Sequence, residues 1–335
     1  MKDLSQIAKK MVAPKKGILA ADESFPTIEK RFAKIGISST EENRQAYRQM
    51  LLTSEGYEQF ISGVILFGET LRQKTDDGIP FAKILEKKGV LPGIKVDQGA
   101  AAMDGSSYEK VTQGLEGLPA RLKEYAELGA KFTKWRAVYK IGDNLPTDKN
   151  ILQNAKDLAQ FAKNSQKAGL VPIVEPEVLM DGSHDINSCV EVTEKVLTAV
   201  FSELKKANVD LDGIILKSNM ALPGKDFVSK ATPAEIAKKT VELFKKVVPK
   251  DVPGIVFLSG GQSEKEATIN LNEMNKIKDF PWELSFSYGR ALQDTAMNIW
   301  AGKKENIAPA QQKFLNRAKM NSLARSGSYS EDLEE

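Results

Sequence analysis

The sequence predicts an α/β chain folded as one (β/α)8 barrel, and three observations carry that expectation. Short, nearly continuous apolar runs recur about every 30 to 45 residues. Amphipathic stretches fill the intervals between them. Charged residues gather at the C-terminal ends of the runs, the face on which barrel active sites are assembled.

The runs, in order, are Gly17–Asp22, Gly63–Glu69, Gly93–Asp97, Phe132–Val138, Val171–Glu177, Gly213–Met220, Gly254–Gly260 and Leu284–Arg290. None alternates strictly, as expected of parallel strands covered on both faces. Between the fourth and fifth lies Asn150–Gly169, with Ile151, Ala155, Leu158, Ala159 and Ala162 at helical spacing before a glycine cap. Ser188–Asn208 fills the next interval, and Pro233–Val248, opened by Thr232 as N-cap, the one after. The rival is a doubly wound sheet, but no Gly-x-Gly-x-x-Gly follows the first run. A leading helix over residues 1–13 and a long helix near Ala308–Arg325 complete the pattern. No linker interrupts it, so 1–335 reads as a single TIM-barrel domain: 1–16 N-terminal helix and lead-in, 17–300 barrel, 301–335 C-terminal helix and tail.

Composition narrows the chemistry. Lys and Arg number 48 against 45 Asp and Glu, a net +3 without the basic stripe that nucleic acid requires. No apolar stretch is long enough for a membrane span or a signal-peptide core. The single cysteine, Cys189, suits a reducing compartment, and the expected location is cytoplasmic. His184 is the only histidine, so a zinc site or a Ser–His–Asp triad is hard to build, and neither metal nor cofactor is expected. Both Cys189 and His184 read as structural or surface residues.

Residues at i and i+2 of a strand share a face. Lys134 with Arg136 and Glu175 with Glu177 are such pairs, and burying them against the helix layer would be costly. They are expected inside the barrel mouth, with Trp135 packed outward under a helix. Taken singly, any one could serve a structural network; as a set they point to a catalytic site. Lys95, Lys134 and Lys217 compete as nucleophile. A Schiff base needs a neutral amine, favoured by dry surroundings or a nearby cation. Lys217 follows the uncharged run Gly213–Leu216, Lys134 shares a face with Arg136, and Lys95 lies two residues from Asp97. Physics ranks Lys217 first without excluding the others.

Leu258-Ser-Gly-Gly-Gln-Ser263 leads from the seventh run into a helical segment, and Ser287-Tyr-Gly-Arg290 ends the eighth. Glycines that let N–H groups close on an anion, a helix N-terminus and an arginine fork form a phosphate cradle. Loops after strands seven and eight are the usual phosphate site of such barrels.

These segments bring a resemblance. Together with Gly17-Ile-Leu-Ala-Ala-Asp-Glu-Ser24, Gly63-Val-Ile-Leu-Phe67, Gly93-Ile-Lys-Val-Asp97, Lys134-Trp-Arg136 and Val171-Pro-Ile-Val-Glu-Pro-Glu177, they make the chain similar to class I fructose-bisphosphate aldolases over nearly its whole length. The resemblance implies a metal-independent lyase of glycolysis and gluconeogenesis that splits fructose 1,6-bisphosphate into dihydroxyacetone phosphate and glyceraldehyde 3-phosphate. By the same resemblance Lys217 is the Schiff-base lysine and Glu175 the acid/base for loss of water. Asp22 takes the C4 hydroxyl proton, and Lys134 supports the charges, backed by Arg136 and Glu177. Ser259, Gly260, Gly261, Ser287, Gly289 and Arg290 hold the C1 phosphate; Ser24, Arg31 and Lys95 meet the C6 phosphate. The implied partner is a phosphorylated sugar, and the implied assembly a homo-oligomer, a tetramer in the family.

Three departures stand out. Phe25-Pro26-Thr27 replaces the usual Thr-Gly-Ser beside the C6-phosphate position. Lys217-Ser218-Asn219 replaces Lys-Pro-Asn, which predicts a less rigid loop. The chain closes on Glu331-Asp-Leu-Glu-Glu335 without a terminal tyrosine, Tyr329 being the nearest. The first departure motivates a second reading, an aldolase for a related sugar phosphate. A third, from another class, is a barrel kept as a binding scaffold, against which the intact Lys217, Glu175 and Asp22 argue.

Overall fold

Strand pairs with strand, always in parallel, until the sheet closes on itself. The computed structural model describes residues 4–106 and 108–334. Helix α1 (Leu4–Met11) precedes β1 (Gly17–Ala21), α2 (Phe25–Ala33) and α3 (Glu41–Leu52), then β2 (Ile61–Leu66), α4 (Gly68–Arg72), α5 (Phe81–Lys87) and β3 (Leu91–Lys95). A small hairpin follows, β4 (Ala100–Ala102) with β5 (Lys110–Thr112), then α6 (Leu118–Glu127), β6 (Phe132–Tyr139), α7 (Asp148–Lys167), β7 (Val171–Val178) and α8 (Ile186–Lys206). The remainder is β8 (Ile215–Ser218), α9 (Pro233–Val247), β9 (Gly254–Phe257), α10 (Glu264–Lys276), β10 (Glu283–Tyr288), α11 (Arg290–Trp300) and α12 (Ile307–Arg325). Among the described residues the barrel order is β1-β10-β9-β8-β7-β6-β3-β2, a closed ring of eight. This is the (β/α)8 architecture the sequence predicts.

The differences lie at the edges. The third strand begins at Leu91 rather than Gly93, and the sixth and seventh stop at Ser218 and Phe257, so their last predicted residues form loops over the mouth. Glu69, read as the end of the second strand, lies in α4. The β4–β5 hairpin was not foreseen, because the two short strands are largely exposed and make no apolar run. The N-terminal helix starts at Leu4 among the described residues, and residues 1–3 of its predicted span lie outside them.

Two apolar layers share the barrel wall. Outward residues such as Leu19, Val64, Ile94, Trp135, Val174 and Leu216 pack under the helices. Inward ones (Ile18, Ala20, Ile65, Leu91, Phe132, Val171, Ile173, Ile215 and Val256) fill the interior, where Ala8, Met11 and Val12 of the leading segment join them. Phe132 spans this base so tightly that a Cβ on Gly93 would lie 2.1 Å from its ring, which explains the glycine there. The inner faces of β6, β7 and β8 therefore change character with height: Phe132 gives way to Lys134 and Arg136, Ile173 to Glu175 and Glu177, Ile215 to Lys217.

The helices returning between strands are capped by sequence. Thr147, Asp185, Thr232 and Ser263 each accept a backbone N–H of the first turn. Ser263 and Glu266 close a full capping box, and each such cap stabilises its helix by about 1 kcal/mol.

Candidate active site

At the mouth, four charges from four strands meet. Lys134 Nζ lies 3.0 Å from Asp22 Oδ2 and 3.0 Å from Glu175 Oε2, and Lys217 Nζ lies 3.1 Å from Glu175 Oε1. Register explains the meeting, since β6 lies beside β7 with Arg136 opposite Glu175, and β7 pairs with β8. All four are almost wholly withdrawn from water, yet Glu175 Oε2 accepts no well-aligned hydrogen bond. Trp135, pointing the other way, stacks on Phe161 of α7 at 5.6 Å, as expected from the sequence.

Lys134 shares a strand face with Arg136, whose charge works to lower its pKa but is a lesser influence. Burial works more strongly against the lysine's charge, but Asp22 and Glu175 overcome it and hold Lys134 above the ordinary lysine range. Burial likewise opposes the charge of Glu175 and Asp22, yet the two lysines hold both carboxyls below the usual carboxylate range. Lys134 thus lies as a cation between two carboxylates brought from other strands. Arg136 turns aside to pair with Glu177.

The loop after β9 is a tight glycine turn. Gly260 and Gly261 have φ of +52° and +94°, a left-handed pair that favours glycine at both positions. The Gln262 N–H and its side-chain amide both donate to the Ser259 carbonyl at 2.9 Å, which fixes the turn. Ser287, at the end of β10, is buried and its hydroxyl makes no hydrogen bond. A Cβ on Gly289 would lie 3.3 Å from the Ala20 carbonyl, a tight fit that a glycine avoids, and Arg290 then opens α11, exposed.

Comparison with known proteins decides the family. The class-I fructose-bisphosphate aldolase family model matches residues 3–335. A probable class 1 fructose-bisphosphate aldolase of Xanthomonas axonopodis pv. citri is 52% identical, covering 98% of this chain and 99% of its own. A cytosolic fructose-bisphosphate aldolase of Arabidopsis thaliana is 55% identical (98% and 91%), and a fructose-bisphosphate aldolase of Drosophila melanogaster 53% (98% and 91%). The solved fructose-bisphosphate aldolase of Plasmodium falciparum superposes with a TM-score of 0.96 at 49% identity, covering 98% of this chain and 95% of that one. The chain belongs to the class-I fructose-bisphosphate aldolases.

In this aldolase the stretch of the rim after β1, the neighbour of β10, and after β3 has a different character. Ser24 precedes α2 without capping it, and its hydroxyl lies 3.1 Å from that of Thr27. Arg31, expected at the C6 phosphate, is buried and already paired with Glu23 and, at 2.9 Å, with Asp294. Arg48 shares Glu23 at 2.6 Å, and Lys95 is bound to Asp97 at 2.5 Å. Phe25 stands half-exposed, its ring edge-on to Phe67 at 5.1 Å and beneath the guanidinium of Arg44, which Glu69 grips. Glu23, Arg48 and Asp294 escaped sequence reading; the run Asp22-Glu23-Ser24 at a strand end was the one available signal.

Two more expectations meet the coordinates. In the Ser218–Asn219 turn, Asn219 accepts from the Val178 N–H at 3.0 Å and donates to Thr193 and Met220. Tyr329 lies away from the mouth, buried, donating to Glu334 at 2.9 Å. Among the described residues no cluster of three His, Cys, Asp or Glu has metal-binding geometry, and no helix is long and apolar enough to cross a membrane.

Proposed function

We propose that this lyase cleaves fructose 1,6-bisphosphate reversibly, in glycolysis and gluconeogenesis, through a Schiff base on Lys217. The observation that carries the reading is the contact of Lys217 Nζ with Glu175 Oε1 at 3.1 Å, beside Asp22 and under a fixed cation. To attack the C2 ketone the amine must shed a proton, and Glu175 is placed to take it. Returned to the C2 hydroxyl of the carbinolamine, that proton lets the oxygen leave as water and an iminium form. Asp22, anionic at rest, then removes the C4 hydroxyl proton. The new aldehyde separates as the electrons of the C3–C4 bond flow into the iminium, giving an enamine. Protonation at C3 and hydrolysis free dihydroxyacetone phosphate. Lys134 keeps Asp22 and Glu175 ionised between steps.

Ser259, Gly260, Gly261, Ser287, Gly289 and Arg290 support a C1-phosphate grip; Ser24 with Thr27 supports contact at C6. Arg136 and Glu177 brace the wall of β6 and β7. Borohydride reduction in the presence of substrate, followed by peptide mapping, tests the chemistry. A substrate-derived adduct on Lys217 is expected, and turnover persisting in excess chelator; a chain that binds phosphate yet forms no adduct is a scaffold instead.

One observation favours a second substrate. With Arg31 and Lys95 held by Glu23, Asp294 and Asp97, the C6 side offers little free positive charge. Fructose 1-phosphate is then a competent substrate, and a preference for it over the bisphosphate would move the assignment to the related-sugar reading. The relatives named as cytosolic support a cytoplasmic site of action, and family resemblance supports a homotetramer, which sedimentation tests.

A further inference from the structure

The cradle after β9 and the arginine after β10 are separate pieces of chain, and one side chain joins the helices that carry them. Glu264, the first residue of α10, sends its carboxylate across to α11: Oε1 accepts the Thr295 N–H at 3.0 Å and Oε2 the Thr295 hydroxyl at 2.6 Å. Thr295 stands five residues after Arg290, so the contact ties the first turn of α10 to the second turn of α11. A buried cation holds the joint from behind. Arg317 of α12 donates from Nη2 to the Glu264 carbonyl at 3.0 Å and to the Thr268 hydroxyl at 2.5 Å. Its Nη1 pairs with Glu334, which Tyr329 also contacts, while the Tyr329 N–H donates to Asn272 of α10 at 3.0 Å. A carboxylate taking a backbone N–H inside another helix fixes rotation as well as distance, because N–H groups point along the helix axis.

We propose that Glu264 is a positioning residue for the phosphate grip, setting the Ser259–Ser263 loop against Arg290, with Thr295 as its receiver and Arg317–Glu334 as its backing. The proposal rests on the reading of these loops as the C1-phosphate site. Glu264 touches no substrate; its effect runs through the mutual placement of two helix starts, and so falls on binding rather than on the bond-breaking step.

Glu264→Gln and Thr295→Val, each alone and combined with Arg290→Ala, test it with KM and kcat for fructose 1,6-bisphosphate and the competitive inhibition constant of inorganic phosphate. In the single variants KM and the phosphate constant rise on the order of fivefold, kcat stays within about twofold, and Thr295→Ser restores wild-type values. In the Arg290→Ala background the further loss disappears, which general destabilisation would not produce. If Glu264→Gln does not fold, Thr295→Val and its serine counterpart decide alone. Unchanged phosphate binding in the single variants, or full additivity with Arg290→Ala, overturns the proposal. If Arg290→Ala itself leaves phosphate binding untouched, it is the phosphate-site reading that fails, and this proposal with it.

Discussion

Two stretches of the barrel rim handle charge in opposite ways. After β9 and β10 the protein offers backbone N–H groups, a buried unpaired serine hydroxyl and an exposed arginine. After β1 and β3 it offers cations whose carboxylate partners are already in place. A cation neutralised inside the fold attracts a ligand only if the ligand displaces its partner, whereas an open glycine turn needs no such exchange. Counting basic residues therefore overstates the free positive charge after β1 and β3.

Four measurements sharpen or break this contrast. The largest effect is expected from Lys217→Met, which removes the nucleophile and lowers kcat by about a thousandfold or more while competitive inhibition by phosphate persists. Loss of both would mean that chemistry and anion binding are not separable as drawn. Arg290→Ala follows, raising KM for the bisphosphate and for fructose 1-phosphate alike, each by about ten- to a hundredfold. An effect confined to the bisphosphate would place Arg290 at the wrong end. Arg31→Met is expected to change the ratio of kcat/KM for these two substrates by less than about tenfold, because its charge is already spent on Glu23 and Asp294. A larger change would show the pair opening to receive phosphate.

The smallest effect concerns pH. Glu175 and Asp22 sit below their ordinary values of 4.5 and 3.8, so their contribution to stability is present above those values and lost as pH falls through the lower folded ones. Lys134 sits above its ordinary 10.5, so its contribution is complete below that value and lost only as pH climbs past the raised one. Lys134→Met removes the cation that holds both carboxyls down, and the acid limb of the kcat/KM profile should move to higher pH. An acid limb that stays in place would assign it to another group.

What was legible in the sequence follows the range over which each feature is encoded. The barrel strands announce themselves because burial on both faces makes each run continuous. The glycine turn after β9 does so because Ser259 through Ser263 is contiguous and leads straight into a helix. The pairing of Arg31 with Asp294 spans 263 positions and leaves no local mark. The surroundings of Lys134 are hidden for the same reason: its same-strand neighbour Arg136 is visible in the sequence, while Asp22 and Glu175 arrive from other strands. The β4–β5 hairpin went unseen because exposed strands need no apolar pattern.

Phe132 and the leading helix stopper the lower end of the cylinder, and that has a bearing on the order of events. A vessel with one opening must fill and empty through the same door. In the proposed cleavage the aldehyde fragment is free while the ketone fragment is still tethered to the wall, so the aldehyde departs first and the second half follows only after its bond to the protein is undone. In the synthetic direction the sequence inverts, and the tethered fragment must always be loaded before its partner arrives.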